Sequence, residues 1–431
     1  DTERPTLIVA KSHIGYGSPG KQDSASSHGE PLGADELQAT KANLGWPDEP
    51  RFFVPQEVAE LCAARVQALQ AEYAAWQERY QAWRAADPEL AAEYDRYMSK
   101  ALPEDLEQQL LEALPAKPNA TRRLSGALLQ RIAELVPNVV GGSADLSPST
   151  STYMPEYEDI AKGQFAGRNF HFGVREHGMA GILNGMAVYG GFIPFGATFL
   201  VFADYMRPSI RLANIMGVQV IYVLTHDSIF VGEDGPTHEP VEHVASLRVI
   251  PGMVDMRPAD GPETAQTWLF ALRRTDGPTA MFLTRQGVPA LERKTPLTAD
   301  AFARGAYVLE ESGEEPDVVL VGTGSEVQLA LAAGRALAEA GVAARVVSMP
   351  SRNLFMAQDA AFREEILPAA ARKVVVEAGT RFGWGEVLGC DALFITQDEF
   401  GHSAPGGALA AELGFNAGDV TRRVREWLGI A

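Results

Sequence analysis

Two stretches of this 431-residue chain repeat one pattern, helix-like segments alternating with short apolar runs, and that pattern restricts the fold more than any other feature. From 121 to about 291 the apolar runs are 139–140, 191–198, 218–224 and 279–283. From 301 onward they are 317–321, 344–347, 373–376 and 392–395, with a helix over 326–340. Parallel strands need a crossover between them, usually a helix, and the helices cover both faces, so each strand becomes a short, continuously apolar run. The expected class is therefore α/β with two doubly wound sheet domains. At about 150 residues per domain the length leaves room for roughly one more.

The residues ahead of this pattern have a different character. From 55 to about 98 the chain is dense in Ala, Glu, Gln and Arg, and Val58, Leu61, Val66, Leu69, Tyr73, Trp76 and Tyr80 recur at helical spacing, which predicts long amphipathic helices. Pro103 and Pro115-Ala116-Lys117-Pro118 follow, so this region reads as a helical linker ending near 118. The chain opens Asp1-Thr2-Glu3-Arg4-Pro5, with no initiator Met and no apolar h-region, which does not read as a signal peptide. Thr6-Leu7-Ile8-Val9-Ala10 reads as a buried strand that begins almost at once, as if the chain were cut inside a domain. Residues 178–203 are uncharged and long enough to span a bilayer. Their six glycines, Pro194 and the break at Tyr189-Gly190-Gly191 argue instead for a helix followed by a strand.

Charge and cysteine content limit the function. With 37 basic and 56 acidic residues the formal charge is −19, which excludes a general basic face for nucleic acid but leaves room for a local basic pocket that takes a small phosphorylated ligand. Cys62 and Cys390 form neither a disulfide framework nor a metal-ligand set and favour a reducing, cytosolic setting.

Four motifs remain. Gly322-Thr323-Gly324-Ser325-Glu326 begins like a dinucleotide fingerprint, but Val327 replaces the third glycine and Glu326 sits where a pyrophosphate would approach, so it reads as a plain strand-to-helix turn. The densest polar constellation is Thr225-His226-Asp227-Ser228 with Gly232-Glu233-Asp234-Gly235-Pro236-Thr237-His238-Glu239-Pro240. It follows a strand, at the edge where α/β proteins put their chemistry. Zinc ligation is its first rival, yet no further Cys or His cluster completes a closed set. Arg175-Glu176-His177 heads an uncharged helix, where Glu176 either complements the helix dipole or serves as a general acid. Phe199, Phe202 and Tyr205 fall at i, i+3 and i+6, a stripe that by spacing alone is core; Arg122, Arg285 and Ser149 are scattered groups able to hold a phosphate.

In order along the chain, Ser27-His28-Gly29, Gly141-Gly142-Ser143-Ala144-Asp145-Leu146, Gly173-Val174-Arg175-Glu176, the run from Thr198 to Tyr205 and the run from Thr225 to His238 resemble transketolase, a thiamine-diphosphate enzyme family. The resemblance runs essentially from Thr6 to Leu428. It implies reversible transfer of a two-carbon ketol unit from a ketose phosphate to an aldose phosphate in the pentose phosphate pathway, with thiamine diphosphate as electron sink. It implies catalytic roles for Glu176, His238 and His28; cofactor contacts from Glu176, Phe199, Phe202, Tyr205 and Asp145; and substrate contacts from Arg122, Ser149, His226, Asp234, Arg285 and His28.

The family's Gly-Asp-Gly motif for Mg2+ and the cofactor diphosphate does not occur in this sequence. No metal residue is assigned here, and the diphosphate and Mg2+ site is expected on a missing N-terminal domain. The implied organisation is a remnant of that domain at 1–50, a helical linker at 51–118, a pyrimidine-binding domain at 119–298 and a C-terminal domain at 299–431. The resemblance further implies a cytoplasmic homodimer with intersubunit active sites and no nucleic-acid or membrane partner. Without its diphosphate site such a chain is expected not to be competent alone. A sibling enzyme, dihydroxyacetone synthase or 1-deoxyxylulose-phosphate synthase, and a catalytically silent truncated dimerisation subunit are the alternatives.

Overall fold

A computed structural model describes residues 3–4 and 6–430; the first two residues of the expected domain remnant, Pro5 and the final Ala431 lie outside the described residues. The chain divides into two compact units, 1–91 and 92–431.

The first unit contains a short turn Ala25–His28 and the helices Ala34–Asn43 and Gln56–Ala86. The Glu36 carboxylate, in the first of these helices, holds the loop at 18–20, accepting from the Ser18 hydroxyl and from the Gly20 N–H at 2.7 Å. The 31-residue helix Gln56–Ala86 buries none of its residues and stacks Tyr73, Trp76, Tyr80 and Trp83 along one face at 5.2 to 5.7 Å between ring centres. The strand expected at Thr6-Leu7-Ile8-Val9-Ala10 is not formed. Leu7, Ile8 and Val9 are 76 to 88% exposed in irregular backbone. Apolar composition supplies a strand's side chains but not its neighbour, and no described strand in this unit offers a ladder to join.

The second unit is built on two sheets. The first contains β1 (Val139–Ser143), β2 (Asn169–His171), β3 (Ile193–Phe199), β4 (Ile221–Thr225), β5 (Val254–Met256) and β6 (Thr279–Leu283), in the order β2-β1-β3-β4-β6-β5 with every pair parallel. The second contains β7 (Tyr307–Glu311), β8 (Val318–Gly322), β9 (Ala344–Ser348), β10 (Arg372–Glu377) and β11 (Leu393–Thr396), in the order β11-β10-β8-β9-β7, parallel except for the edge strand β7. The α/β class with two doubly wound sheets is therefore correct.

Alternate side chains explain why the central strands are apolar throughout. Ile221 and Val223 of β4 enter the core on one face and Tyr222 and Leu224 the core on the other. Val318 and Leu320 of β8 do the same against Val319 and Val321 in the second sheet. Leu106 and Leu110, on the helix Leu106–Glu112, are wholly buried in the first sheet's core beside Trp268. The uncharged stretch 178–203 divides into the helix Glu176–Tyr189 and the strand β3. Among the described residues no helix is long and apolar enough to cross a membrane.

Candidate functional site

The carboxyl ends of β1, β3, β4 and β6 open on one edge of the first sheet, next to the switch in strand order between β1 and β3. Arg285 stands two residues beyond β6. Arg122 is brought there by a reciprocal clasp: the Thr121 N–H donates to Thr284 Oγ1 at 2.9 Å and the Thr284 N–H donates to Thr121 Oγ1 at 2.8 Å. The helix Thr121–Leu135 thereby starts at the end of a strand 163 residues away. Arg122 Nη1 donates to the carbonyl of Ser149, in the short helix Ser147–Thr150 that follows β1, so it is the backbone of Ser149 that meets the arginine.

Five rings make the neighbouring surface. Phe199 ends β3 and Phe202 ends the single turn that follows, their rings nearly parallel at 5.9 Å. The His226 ring stacks on Phe199 at 3.7 Å, and His238 meets Phe202 edge-on at 5.5 Å. Tyr205 tilts against Phe202 at 6.4 Å and is 65% exposed. The three aromatics thus line one surface, though not as a helical stripe, since Phe199 belongs to the strand. Both imidazoles follow a threonine that fixes them: the Thr225 hydroxyl shares a 2.8 Å hydrogen bond with His226 Nδ1, and Thr237 does the same for His238. Each ring keeps Nε2 for another partner. Glu176 is the first residue of its helix, buried, and without a hydrogen-bond partner among the described residues.

Charge accumulates on one side of this surface. Burial first, then Arg123 and Arg285, bring Arg122 down to about 10, and its buried Nε has no partner. Burial, with Arg122, Arg285 and His238 adding repulsion, pushes His226 down to about 3, so the ring is neutral at pH 7. The nearest carboxylate to Arg285 is that of exposed Glu233, at 3.9 Å. Arg122, Ser149, His226, His238 and Arg285 are therefore gathered. Asp145 is exposed just past β1 with φ +62°, Asp234 is exposed in the loop that carries His238, and His28 is exposed in the first unit.

Three groups at this edge were given no role by the sequence, although Asp227 and Glu239 lie within its polar constellation. Glu239, next to His238, is buried with both carboxylate oxygens unpaired, and burial raises it to about 7. Its loop is covered by residues 401–406, where the Ser403 hydroxyl donates to the Glu233 carbonyl at 2.5 Å. Asp227 and Arg257 form a buried ion pair at 2.8 Å. The one local signal was the acidic residue at the start of the helix after Gly322-Thr323-Gly324, which proves to be the second partner of Arg257.

Comparison with known proteins agrees along the whole chain. The sequence models of the transketolase thiamine diphosphate binding domain, the transketolase pyrimidine binding domain and the transketolase-like C-terminal domain match residues 1–103, 117–290 and 305–416. The first match corrects the expectation of a 50-residue remnant of a missing domain: the helices that looked like a low-complexity linker lie within the matched domain. A transketolase of Geobacillus stearothermophilus is 46% identical over 432 residues, covering 100% of this chain, which spans 65% of that relative's length. The solved transketolase of Pichia stipitis in complex with sedoheptulose 7-phosphate superposes with a TM-score of 0.88 at 34% identity, over 99% of this chain and 63% of that one. A split-gene transketolase, described as an inactive beta4 tetramer, matches 72% of this chain and 98% of its own with a TM-score of 0.57 at 28% identity. With three domain models in family order and this level of identity over its full length, the chain belongs to the transketolase family.

Proposed function

We propose that this protein works in the transketolase reaction, the reversible transfer of a two-carbon ketol unit from a ketose phosphate to an aldose phosphate. In this reading residues 119–298 bind the pyrimidine end of thiamine diphosphate and residues 299–431 form the C-terminal domain. The observation that carries it is the cationic corner on an acidic chain: a buried Arg122 Nε without a partner, beside Arg285 and His226. The positive charge that helps to hold Arg122 and His226 down is offset when an anion arrives, and guanidinium donors match phosphate oxygens.

The surface beside that corner fits a planar heterocycle. Phe202 offers a half-buried ring face flanked by Phe199 and Tyr205, and Glu176 is a buried carboxyl able to exchange a hydrogen bond with a ring nitrogen. Asp145, at the end of β1, is the further cofactor contact. When bound, thiamine diphosphate supplies the electron sink for carbon–carbon bond cleavage. Glu176 would hydrogen-bond the pyrimidine. His226 and His238, oriented through Nδ1, present Nε2 to the sugar oxygens, and the neutral His226 suits exchange of a hydrogen bond with a hydroxyl. Arg122, Arg285 and Ser149 take the phosphate and Asp234 a sugar hydroxyl. His28 keeps its catalytic and substrate role by resemblance alone. Mg2+ is proposed as partner of the cofactor diphosphate, and none of the described residues is assigned to it.

The same reading makes the protein a cytoplasmic homodimer of the pentose phosphate pathway. Ile182, Val188 and Tyr189 on one helix, and Leu212, Ile215 and Met216 on its neighbour, are exposed apolar residues that a second copy would cover. The test is the full chain with thiamine diphosphate, Mg2+, xylulose 5-phosphate and ribose 5-phosphate. Formation of sedoheptulose 7-phosphate that falls in Arg122→Ala supports the proposal. Absence of product together with absence of ribose 5-phosphate binding by calorimetry overturns it. Binding without turnover would make the chain a silent subunit, as the split-gene relative is described.

A further inference from the structure

The turn Gly322-Thr323-Gly324-Ser325-Glu326, at the carboxyl end of β8, has the look of a phosphate loop and holds an arginine instead. Gly324 has φ +58°, and a Cβ there would lie 2.7 to 2.9 Å from Arg257 Cγ, Nε and Cζ, so the guanidinium crosses the turn only because no side chain is present. Arg257, just beyond β5 of the first sheet, is wholly buried. Its Nη1 donates to the Thr323 carbonyl at 2.8 Å and to Glu326, and its Nε donates to Asp227 at 2.8 Å. Glu326 also accepts from the Ala378 N–H at 3.0 Å and from the Ser325 hydroxyl at 2.5 Å. Ser325 in turn accepts from Gln286, the residue after Arg285, at 3.0 Å. The turn therefore backs the edge that carries the candidate site at two places.

Asp227 follows His226, whose φ of +62° is a conformation that side-chain-bearing residues adopt only when their surroundings impose it. Three charges taken out of water are a poor source of stability compared with apolar packing of the same volume; what such a set supplies is one definite geometry. Here that geometry fixes the peptide next to a ring stacked at 3.7 Å on Phe199.

We infer that Glu326, in the C-terminal domain, is a positioning residue for His226, acting through Arg257 and Asp227. The inference deepens the proposed function and rests on it for what His226 contacts, whereas the placement of the ring is independent of any substrate. The groups facing that ring are Thr225, Phe199, Arg122, Arg285 and His238.

The test is histidine-ring NMR on the full chain, parent against Glu326→Gln, a substitution of equal shape that leaves Arg257 its pair with Asp227. In the parent the His226 ring stays neutral through the accessible acid range. In Glu326→Gln its stacking on Phe199 loosens and it begins to titrate between about pH 5 and 7, as a solvated imidazole does, while rings outside the site keep their curves. Where the parent turns over, the KM for ribose 5-phosphate rises about tenfold with kcat within about twofold. A His226 ring that remains untitrated in a folded Glu326→Gln chain overturns the inference. So does a change shared equally by all eight histidines, which marks general loosening. Should Glu326→Gln not fold, Ser325→Ala, which removes one hydrogen bond from Glu326, must give the same change confined to His226, and its absence there overturns the inference equally. Failure of the parent to bind ribose 5-phosphate would instead sink the proposed function and leave the ring result to decide this one.

Discussion

The turns after β4 and β8 leave their sheets in the same way and are used in opposite senses. After β4, the backbone of His226 takes a left-handed conformation and its ring is turned onto Phe199 beside two arginines. After β8, a left-handed glycine lets an arginine in from the other sheet, and Glu326 closes on it in full burial. One turn lies beside the unpaired Nε of Arg122; in the other Glu326 and Arg257 pair with each other, and Thr323 Oγ1 and Arg257 Nη2 stay unpaired. Unpaired groups at a strand end are where a ligand is wanted, and paired ones hold the frame.

The largest effect should come from breaking the paired turn. Arg257→Met strands two buried carboxylates, Asp227 and Glu326, and should cost about 3–5 kcal/mol of stability by denaturant unfolding. Adding Asp227→Asn and Glu326→Gln should recover most of it. A single Arg257→Met chain as stable as the parent would show that the two turns are not different in kind.

The unpaired turn should respond in ligand binding rather than in stability. Arg122→Ala removes a guanidinium that spends one hydrogen bond on Ser149 and has Nε free. It should weaken ribose 5-phosphate by about 2 kcal/mol, roughly 30-fold, and leave unphosphorylated ribose unchanged, as read by calorimetry. Equal losses for both sugars would remove the phosphate from the argument.

These two turns were not equally legible. β4, β6 and β8 announce themselves as continuous apolar runs because both faces are covered, and the histidines stood out as polar residues just beyond such a run. Strands β2 and β5 have three residues each and β7 is a half-buried edge, too short or too mixed to carry a period. The pair of Arg257 and Glu326 is separated by 69 residues and joins two sheets, so no local pattern encodes it; only the misplaced acid in the glycine turn hinted at it. The run Thr6-Leu7-Ile8-Val9-Ala10 erred in the other direction, since apolar residues were read as a strand without a ladder to join. Arg122 and Arg285 looked scattered because the Thr121 and Thr284 clasp that unites them acts across most of a domain.

Glu239 is a third case, an acid buried without a partner where the loop after β4 meets the loop at 401–406. Burial raises it to about 7, partly opposed by His402. Between about 4.5 and 7 the folded chain then holds this proton more tightly than the unfolded chain, so stability falls as pH rises through that window, by at most about 1.4 kcal/mol per unit, and levels off above it. Melting curves from pH 5 to 8 should show this decline, and Glu239→Gln should flatten it. A Glu239→Gln chain with an unchanged pH profile would assign the decline to another group.

The smallest effect isolates what burial contributes to a pair of the same chemistry. Arg335 on the helix Val327–Glu339 meets Glu310 of β7 at 2.7 Å, a shorter contact than Arg257 makes with Asp227, and its N–H groups reach both carboxylate oxygens. Yet Arg335 is 47% exposed, so water solvates either partner as soon as the other is lost. Arg335→Ala should therefore cost no more than about 0.5 kcal/mol, and less in high salt. A loss approaching that of Arg257→Met would mean that contact geometry, rather than exclusion from water, sets the worth of these pairs, and the distinction between the two turns would have to be drawn on other grounds.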